Sequence, residues 1–192
     1  MSSIRNFTQP VEARILDAAA ACVLAYGVER MTLTEVARRA RVSRPTIYRR
    51  WPDIRWLLAE VLTIRIAGVL DEVPDRGPDR KSLVERIVAV AEHLRGDEVV
   101  MSVLHRAPNV AMVYITERLG TSQQIIIDAL AHALKLAQEE GSVRPGEPRQ
   151  LAAMCLLITQ SAIQSGQIVA PILDIRALDA ELTHCLNGYL RP

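Results

Sequence analysis

Apolar residues recur every three or four positions along almost the whole chain, and no stretch alternates apolar with polar as a half-buried strand does. That period points to an all-α fold. Of the 192 residues, 49% are apolar, enough to bury a sizeable core. Only 4% are aromatic, so the core must be built from Leu, Ile, Val, Ala and Met.

Glycines, prolines and caps divide the period into about nine helices. The first opens at Pro10, a favoured first-turn residue. It carries the stripe Val11, Ile15, Ala18, Ala19, Cys22 and Tyr26 and stops at Gly27. Thr32 and Glu35 have the spacing of a capping box, in which each side chain satisfies an amide at the other's position. The short helix that follows, to about Ala40, buries Val36, Ala37 and Ala40. Ser43 caps another short helix, with Pro45 tolerated in its first turn. Pro52 breaks that helix and Asp53 caps the next, which runs to about Glu72 with Ile54, Leu57, Leu58, Val61, Leu62 and Leu70 inward. Residues 73–80 read as a linker. Helices are then expected over 80–95, 97–106, 109–140 with a bend near Gly120, 148–169 and 174–190. The expected division is a head over 1–53 and a body over 54–192.

Charge separates the same two parts. Residues 1–56 hold ten arginines against five acids, whereas the rest holds thirteen basic and seventeen acidic residues. A basic head on a mildly acidic body suits a polyanion partner. The charge is concentrated further within the head. Between Arg38 and Arg50 lie six arginines and no acid, interleaved with Ser43, Thr46 and Tyr48. Two short helices joined by about three residues form a helix-turn-helix, whose second helix enters the DNA major groove while the first crosses the backbone. A helix face that meets phosphates and base edges needs Arg, Ser, Thr and Tyr, and carries no acids there. Periodicity turns Val42, Ile47 and Trp51 inward. It leaves Arg44, Pro45, Thr46, Tyr48, Arg49 and Arg50 for DNA, with Arg55 just beyond. Thr32 and Ser43 stand where hydroxyls and helix-start amides hold phosphates. Trp51 and Trp56 read as core residues rather than base-stackers.

Residues 31–53, MTLTEVARRARVSRPTIYRRWPD, resemble the N-terminal helix-turn-helix of the tetracycline-repressor (TetR) family. The matching positions are Thr32, Glu35, Ala37, Ala40, Val42, Ser43, Thr46, Tyr48 and the aromatic Trp51, with Leu57 opening the next helix's core. The resemblance covers about fifty residues, from the first helix into the fourth. It implies an all-helical homodimer whose body binds a small ligand and whose last two helices form the dimer interface. It also implies a phosphate contact by Tyr48, DNA contacts by Thr46 and Arg44, and Arg49 and Pro45 in the groove. Two positions depart from the family pattern. Arg41 stands where the turn commonly has Gly, and Ile54 stands where a Lys near a phosphate is usual, with Arg55 as a substitute.

In the body, residues 150–173 contain no charge. Their length alone would admit a membrane span, but Gln150, Gln160, Gln164 and Gln167 recur through them, and glutamines are costly in hydrocarbon. A helix buried against protein, including a partner subunit, is the expected reading. Cys155, Ile163, Leu182, Cys185, Leu186 and Tyr189 are the candidates for a dimer interface. An aliphatic, Met-rich cavity for an apolar effector is expected among Met101, His105, Met112, Tyr114, Ile126, Met154 and Gln160.

Catalysis finds little footing. There is no G-x-S-x-G or HExxH motif and no phosphate-cradling glycine loop. The four histidines are scattered, and the three cysteines (Cys22, Cys155, Cys185) have neither CxxC nor zinc-ligand spacing. No metal and no cofactor are expected. The thiols suit a reduced, cytoplasmic protein, and residues 1–14 have no apolar run of signal-peptide length. The expectation is a ligand-responsive dimeric regulator, most simply a repressor released from a palindromic operator by a small effector. An effector-independent architectural DNA binder and a small helical enzyme are the rival readings.

Overall fold

The computed structural model describes residues 10–106 and 120–192. Among them are nine α-helices, one turn of 3-10 helix at Val28–Arg30, and no strand. The helices are α1 Val11–Tyr26, α2 Leu33–Ala40, α3 Arg44–Arg50, α4 Ile54–Glu72, α5 Arg80–Gly96, α6 Glu98–Arg106, α7 Thr121–Glu139, α8 Pro148–Val169 and α9 Ile175–Leu190. The all-α expectation holds. Residues 107–119, which include part of the helix expected over 109–140, lie outside the described residues. The described part of that helix starts after Gly120, whose N–H donates to the Gln123 side chain at 2.9 Å.

Two compact units form. The first contains described residues 10–65 and 98–106, and the second 66–97 and 120–192. The sequence placed its boundary at 53/54, but the compact grouping runs on through the first part of α4 and takes in α6.

In the first unit α1 packs on α2 and α6, and α2 packs on α3. Its fully buried side chains include Ile15, Cys22 and Val23 of α1, Val36 of α2, Ile47 of α3, Leu57 and Leu58 of α4, and Val99 and Val103 of α6. Each such aliphatic side chain contributes roughly 1.5–3 kcal/mol by leaving water. Three expected inward positions differ. Val11 and Tyr26, at the two ends of the α1 stripe, are exposed, because a helix's terminal turns overhang the core. Trp56 is also not a core residue: it is 53% exposed, whereas Trp51 is 2% exposed.

In the second unit α7 and α8 form the most extensive pair, with α5 and α9 packed on α8 and on each other. Two arginines satisfy carbonyls at helix ends. Arg86 donates to the carbonyls of Leu70 and Val73 and so caps the end of α4. Arg144 does the same for α9, donating through its backbone N–H to Leu190 and through Nε to the carbonyl of Tyr189, with its guanidinium 4.6 Å above the Tyr189 ring. Gly166 brings α8 and α9 close: a Cβ there would meet Cδ2 of buried Leu178 at 2.9 Å.

By length and composition α8 is long and apolar enough to cross a membrane. In this fold it buries one face, Leu151, Ala152, Cys155, Leu156, Thr159 and Ile163, inside its own unit. Burial pushes the Cys155 thiol up to about 12 and raises that of Cys22. A thiol with a pKa near 12 is about one ten-thousandth ionised at pH 8, and the thiolate is the reactive form. Cys22 and Cys155 are therefore expected to react with Ellman's reagent at pH 8 only when the protein unfolds, a result that a stopped-flow titration with and without denaturant would show.

Two ion pairs in this unit differ mainly in burial. Arg95 of α5 pairs with Asp179 of α9, with side chains 9% and 23% exposed, whereas Arg149 and Asp128 pair in the open. Arg95 Nε and Nη1 are already buried without a hydrogen-bond partner among the described residues. Asp179→Ala is expected to lower the urea unfolding free energy by about 3 kcal/mol, since it leaves a buried guanidinium uncompensated. Asp128→Ala is expected to cost roughly 1 kcal/mol or less.

Candidate nucleic-acid interface

Helix α2 begins at Thr32, whose hydroxyl accepts the Glu35 amide at 3.2 Å. Only half of the expected capping box forms. The Glu35 carboxylate turns forward to grip Arg38 with two hydrogen bonds, at 2.6 and 2.9 Å, instead of reaching back. That bond to Arg38 holds the Glu35 carboxyl below its usual range.

The turn is three residues long. Arg41 adopts the left-handed conformation, φ 55 and ψ 46. Its amide donates to the Arg38 carbonyl at 3.2 Å, and the Val42 amide donates to Ala37 at 3.0 Å, closing the end of α2. From α1, Arg14 reaches across and donates to the carbonyls of Ala40 and Arg41, at 2.6 and 3.2 Å. A cation at a helix C-terminus also matches the helix dipole.

Helix α3 starts with Ser43 as its cap. The Ser43 hydroxyl accepts the Thr46 amide at 3.3 Å and shares a 2.7 Å hydrogen bond with the Thr46 hydroxyl. Pro45 occupies the first turn, where no intrahelical donor is needed. Ile47 is the buried residue of α3, and Trp51, just after it, is buried too. The opposite face carries Arg44, Pro45, Tyr48 and Arg49, all exposed.

The end of α3 is clasped by two carboxylates. Arg50 pairs with Glu12 of α1 at 2.8 Å and with Glu60 of α4 at 3.2 Å, and its guanidinium lies 5.5 Å from the Trp51 ring centre. The Trp51 indole N–H donates to the other Glu60 oxygen at 2.7 Å. Asp53 caps α4 by accepting the amides of Arg55 and Trp56 and also pairs with the Arg55 guanidinium at 3.0 Å. The Arg55 side chain, then the backbone amides, hold the Asp53 carboxyl below its usual range. The sequence-predicted positive residues thus fall into two sets. Arg38, Arg50 and Arg55 have carboxylate partners. Arg39, Arg41, Arg44 and Arg49 are exposed and have no ion pair among the described residues.

Sequence reasoning missed Arg14, Glu12 and Glu60. The Arg14 contact spans 26 positions and the Glu60 contacts nine or ten. No local period connects such pairs. The predicted ligand-pocket residues fall in both units. Met101 and exposed His105 lie on α6 in the first unit, and Ile126, Met154 and Gln160 in the second, while Met112 and Tyr114 lie outside the described residues. Gln160 accepts a hydrogen bond from Gln123 at 3.0 Å, and Met154 is exposed. Of the predicted dimer-interface residues, Cys155, Ile163, Leu182 and Leu186 are buried in their own unit's core, Tyr189 is half-buried beneath Arg144, and Cys185 is exposed.

A seven-residue helix with one buried apolar side and one arginine-rich exposed side, set by a three-residue turn against an eight-residue helix, is a helix-turn-helix that binds DNA. The model for bacterial regulatory proteins of the tetR family matches residues 15–61, from within α1 to α4. An HTH-type transcriptional regulator of Mycobacterium tuberculosis is 60% identical over 190 residues, which are 99% of this chain and 100% of that one. Among solved structures, the TetR-family repressor QsdR of Rhodococcus erythropolis has a TM-score of 0.69 at 19% identity, covering 95% of this chain and 96% of that one. The TetR-family repressor FadR of Thermus thermophilus, in complex with lauroyl-CoA, has a TM-score of 0.67 at 20% identity, covering 93% and 94%. The chain belongs to the TetR family of bacterial transcriptional regulators.

The clasp gives Arg50 a role distinct from that of Arg44. Arg50→Ala is expected to lower thermal stability by about 1 kcal/mol, as two partly exposed pairs are lost, and to leave the salt dependence of duplex affinity unchanged. A flatter salt dependence, measured by anisotropy between low and moderate salt, would make Arg50 a phosphate contact instead.

Proposed function

We propose that this regulator represses transcription as a homodimer on a two-fold-symmetric operator and is released by a small apolar effector. The observation that carries the reading is the exposed face of α3, where Arg44, Tyr48 and Arg49 project with no acid and no ion pair among the described residues. In this reading α3 lies in the major groove. Arg49 and Pro45 face base edges, Arg44 and Thr46 touch DNA at the groove edge, and Tyr48 bonds a phosphate. The hydroxyls of Thr32 and Ser43 add phosphate contacts. Arg50 and Arg55 serve the head's own architecture.

Dimerisation follows from what α8 and α9 leave uncovered. Met154, Leu157 and Ile168 on α8 and Ile175 at the start of α9 are exposed. A second copy would cover these residues, and their neighbours Cys155, Ile163, Leu182 and Leu186 would back the interface from within. Effector binding in the body is supported by the fold's likeness to FadR of Thermus thermophilus, which is in complex with lauroyl-CoA. Half-buried Ile126 and the Gln123–Gln160 hydrogen bond supply apolar and neutral polar groups of the kind such a site uses. Release is a population shift: the effector favours one spacing of the two heads, and α4, which contributes residues to both units, carries the change. The protein acts in the cytoplasm, where its DNA lies.

The test is selection of bound duplexes from a random-sequence library at about 150 mM salt, where specific and non-specific binding separate. A palindromic motif is expected. On that motif Arg49→Ala is expected to cost about 1–3 kcal/mol and relax preference at one position per half-site. Arg44→Ala is expected to weaken all duplexes alike. Enrichment of no motif, with only weak salt-sensitive binding, would replace the operator reading with an architectural one.

A further inference from the structure

Arg41 is the one non-glycine residue with positive φ among the described residues, at φ 55 and ψ 46. An L side chain is disfavoured there because Cβ crowds the following carbonyl, and glycine takes the same conformation without that crowding. The surrounding bonds do not call for arginine. The turn is closed by backbone donors, Arg41 to Arg38 and Val42 to Ala37, which a glycine would donate equally well. The Arg41 carbonyl is held by Arg14, another bond that is independent of the Arg41 side chain. The side chain is exposed and has no ion pair among the described residues.

Cations predominate in the segment around the turn. The Arg14 guanidinium lies against the Arg41 carbonyl, Arg44 follows three residues later, and the nearest acid along α2, Glu35, is occupied by Arg38. The Arg41 guanidinium, exposed and without an ion pair among the described residues, meets no acid unless an anion comes from outside. Strain kept where the fold gains nothing points to function.

We infer that Arg41 is a DNA-backbone contact, whose guanidinium pairs with a phosphate at the edge of the groove occupied by α3. This rests on the placement of α3 proposed above. The contact is sequence-independent: it adds affinity for any duplex and reads no base. The turn of this head therefore accepts a less stable backbone in exchange for one more phosphate held per half-site.

The test compares Arg41→Gly, Arg41→Lys and Arg44→Ala with the unaltered full chain, by thermal unfolding and by salt-dependent anisotropy on a random-sequence duplex. Arg41→Gly is expected to raise Tm by about 2–4 °C, to weaken binding several-fold, and to flatten the slope of log affinity against log salt by about 0.9 for each head engaged. Arg41→Lys is expected to keep the slope and the Tm. If Arg41→Gly raises Tm but leaves the slope intact while Arg44→Ala weakens binding, the Arg41 contact is wrong and the placement of α3 stands. If neither variant weakens binding, the placement of α3 falls and the Arg41 contact with it. A fall in Tm for Arg41→Gly would assign Arg41 to the fold and overturn the inference.

Discussion

A helix of seven residues makes too few internal hydrogen bonds to hold its shape in water, and α3 has seven. Everything that fixes it must come from outside the helix. Ile47 and Trp51 anchor its inner side in the core, and Ser43 closes its start. Its end is held at two points on one carboxylate, since Glu60 accepts both the Trp51 indole and Arg50. That arrangement leaves the outer face free of structural duty. The residues that hold α3 and those that project from it are different side chains, so contact residues can change without unfolding the helix.

The same division of labour explains the head's excess of arginine. A surface with ten arginines and five acids would repel itself if every charge stood free. Glu35, Glu12, Glu60 and Asp53 each hold an arginine that lies off the exposed face of α3. Arg14 spends its charge on two carbonyls at the end of α2. Apart from Arg30, the arginines left without a partner among the described residues, Arg39, Arg41, Arg44 and Arg49, lie in and around the turn and α3. The positive potential is thus set by which arginines lack acids, more than by how many arginines there are, and net charge alone gives no hint of that.

Much of the head was legible in the sequence because its determinants are local. The caps at Thr32 and Ser43, the break at Pro52 and the inward positions of Ile47 and Trp51 follow from spacing, and the structure reproduces them. The clasp on Arg50 was not legible. Its partners come from α1 and α4, and a sequence does not show which of several equally placed arginines a carboxylate will choose. Trp56 went astray for a related reason. It lies next to Leu57 and Leu58, which are buried, and only the helix's exact rotation decides which of three adjacent large side chains faces out.

The body was harder to read, and α8 shows why. Reading which face of a helix is buried depends on contrast between an apolar stripe and a polar one. From residue 150 to 169 α8 offers no charged residue at all. Two apolar stripes run along it, one through Leu151, Cys155 and Leu156 and another through Met154, Leu157 and Ile168, and period alone ranks them equally. The fold buries the first and exposes the second. A helix with one covered and one uncovered apolar stripe is only half accounted for by its own unit, and an apolar stripe left in water disfavours the isolated chain. Four of the residues chosen from sequence as the interface, Cys155, Ile163, Leu182 and Leu186, are buried within their own unit. The lack of charge that makes α8 suited to burial on two sides also removes the signal that would have separated those sides.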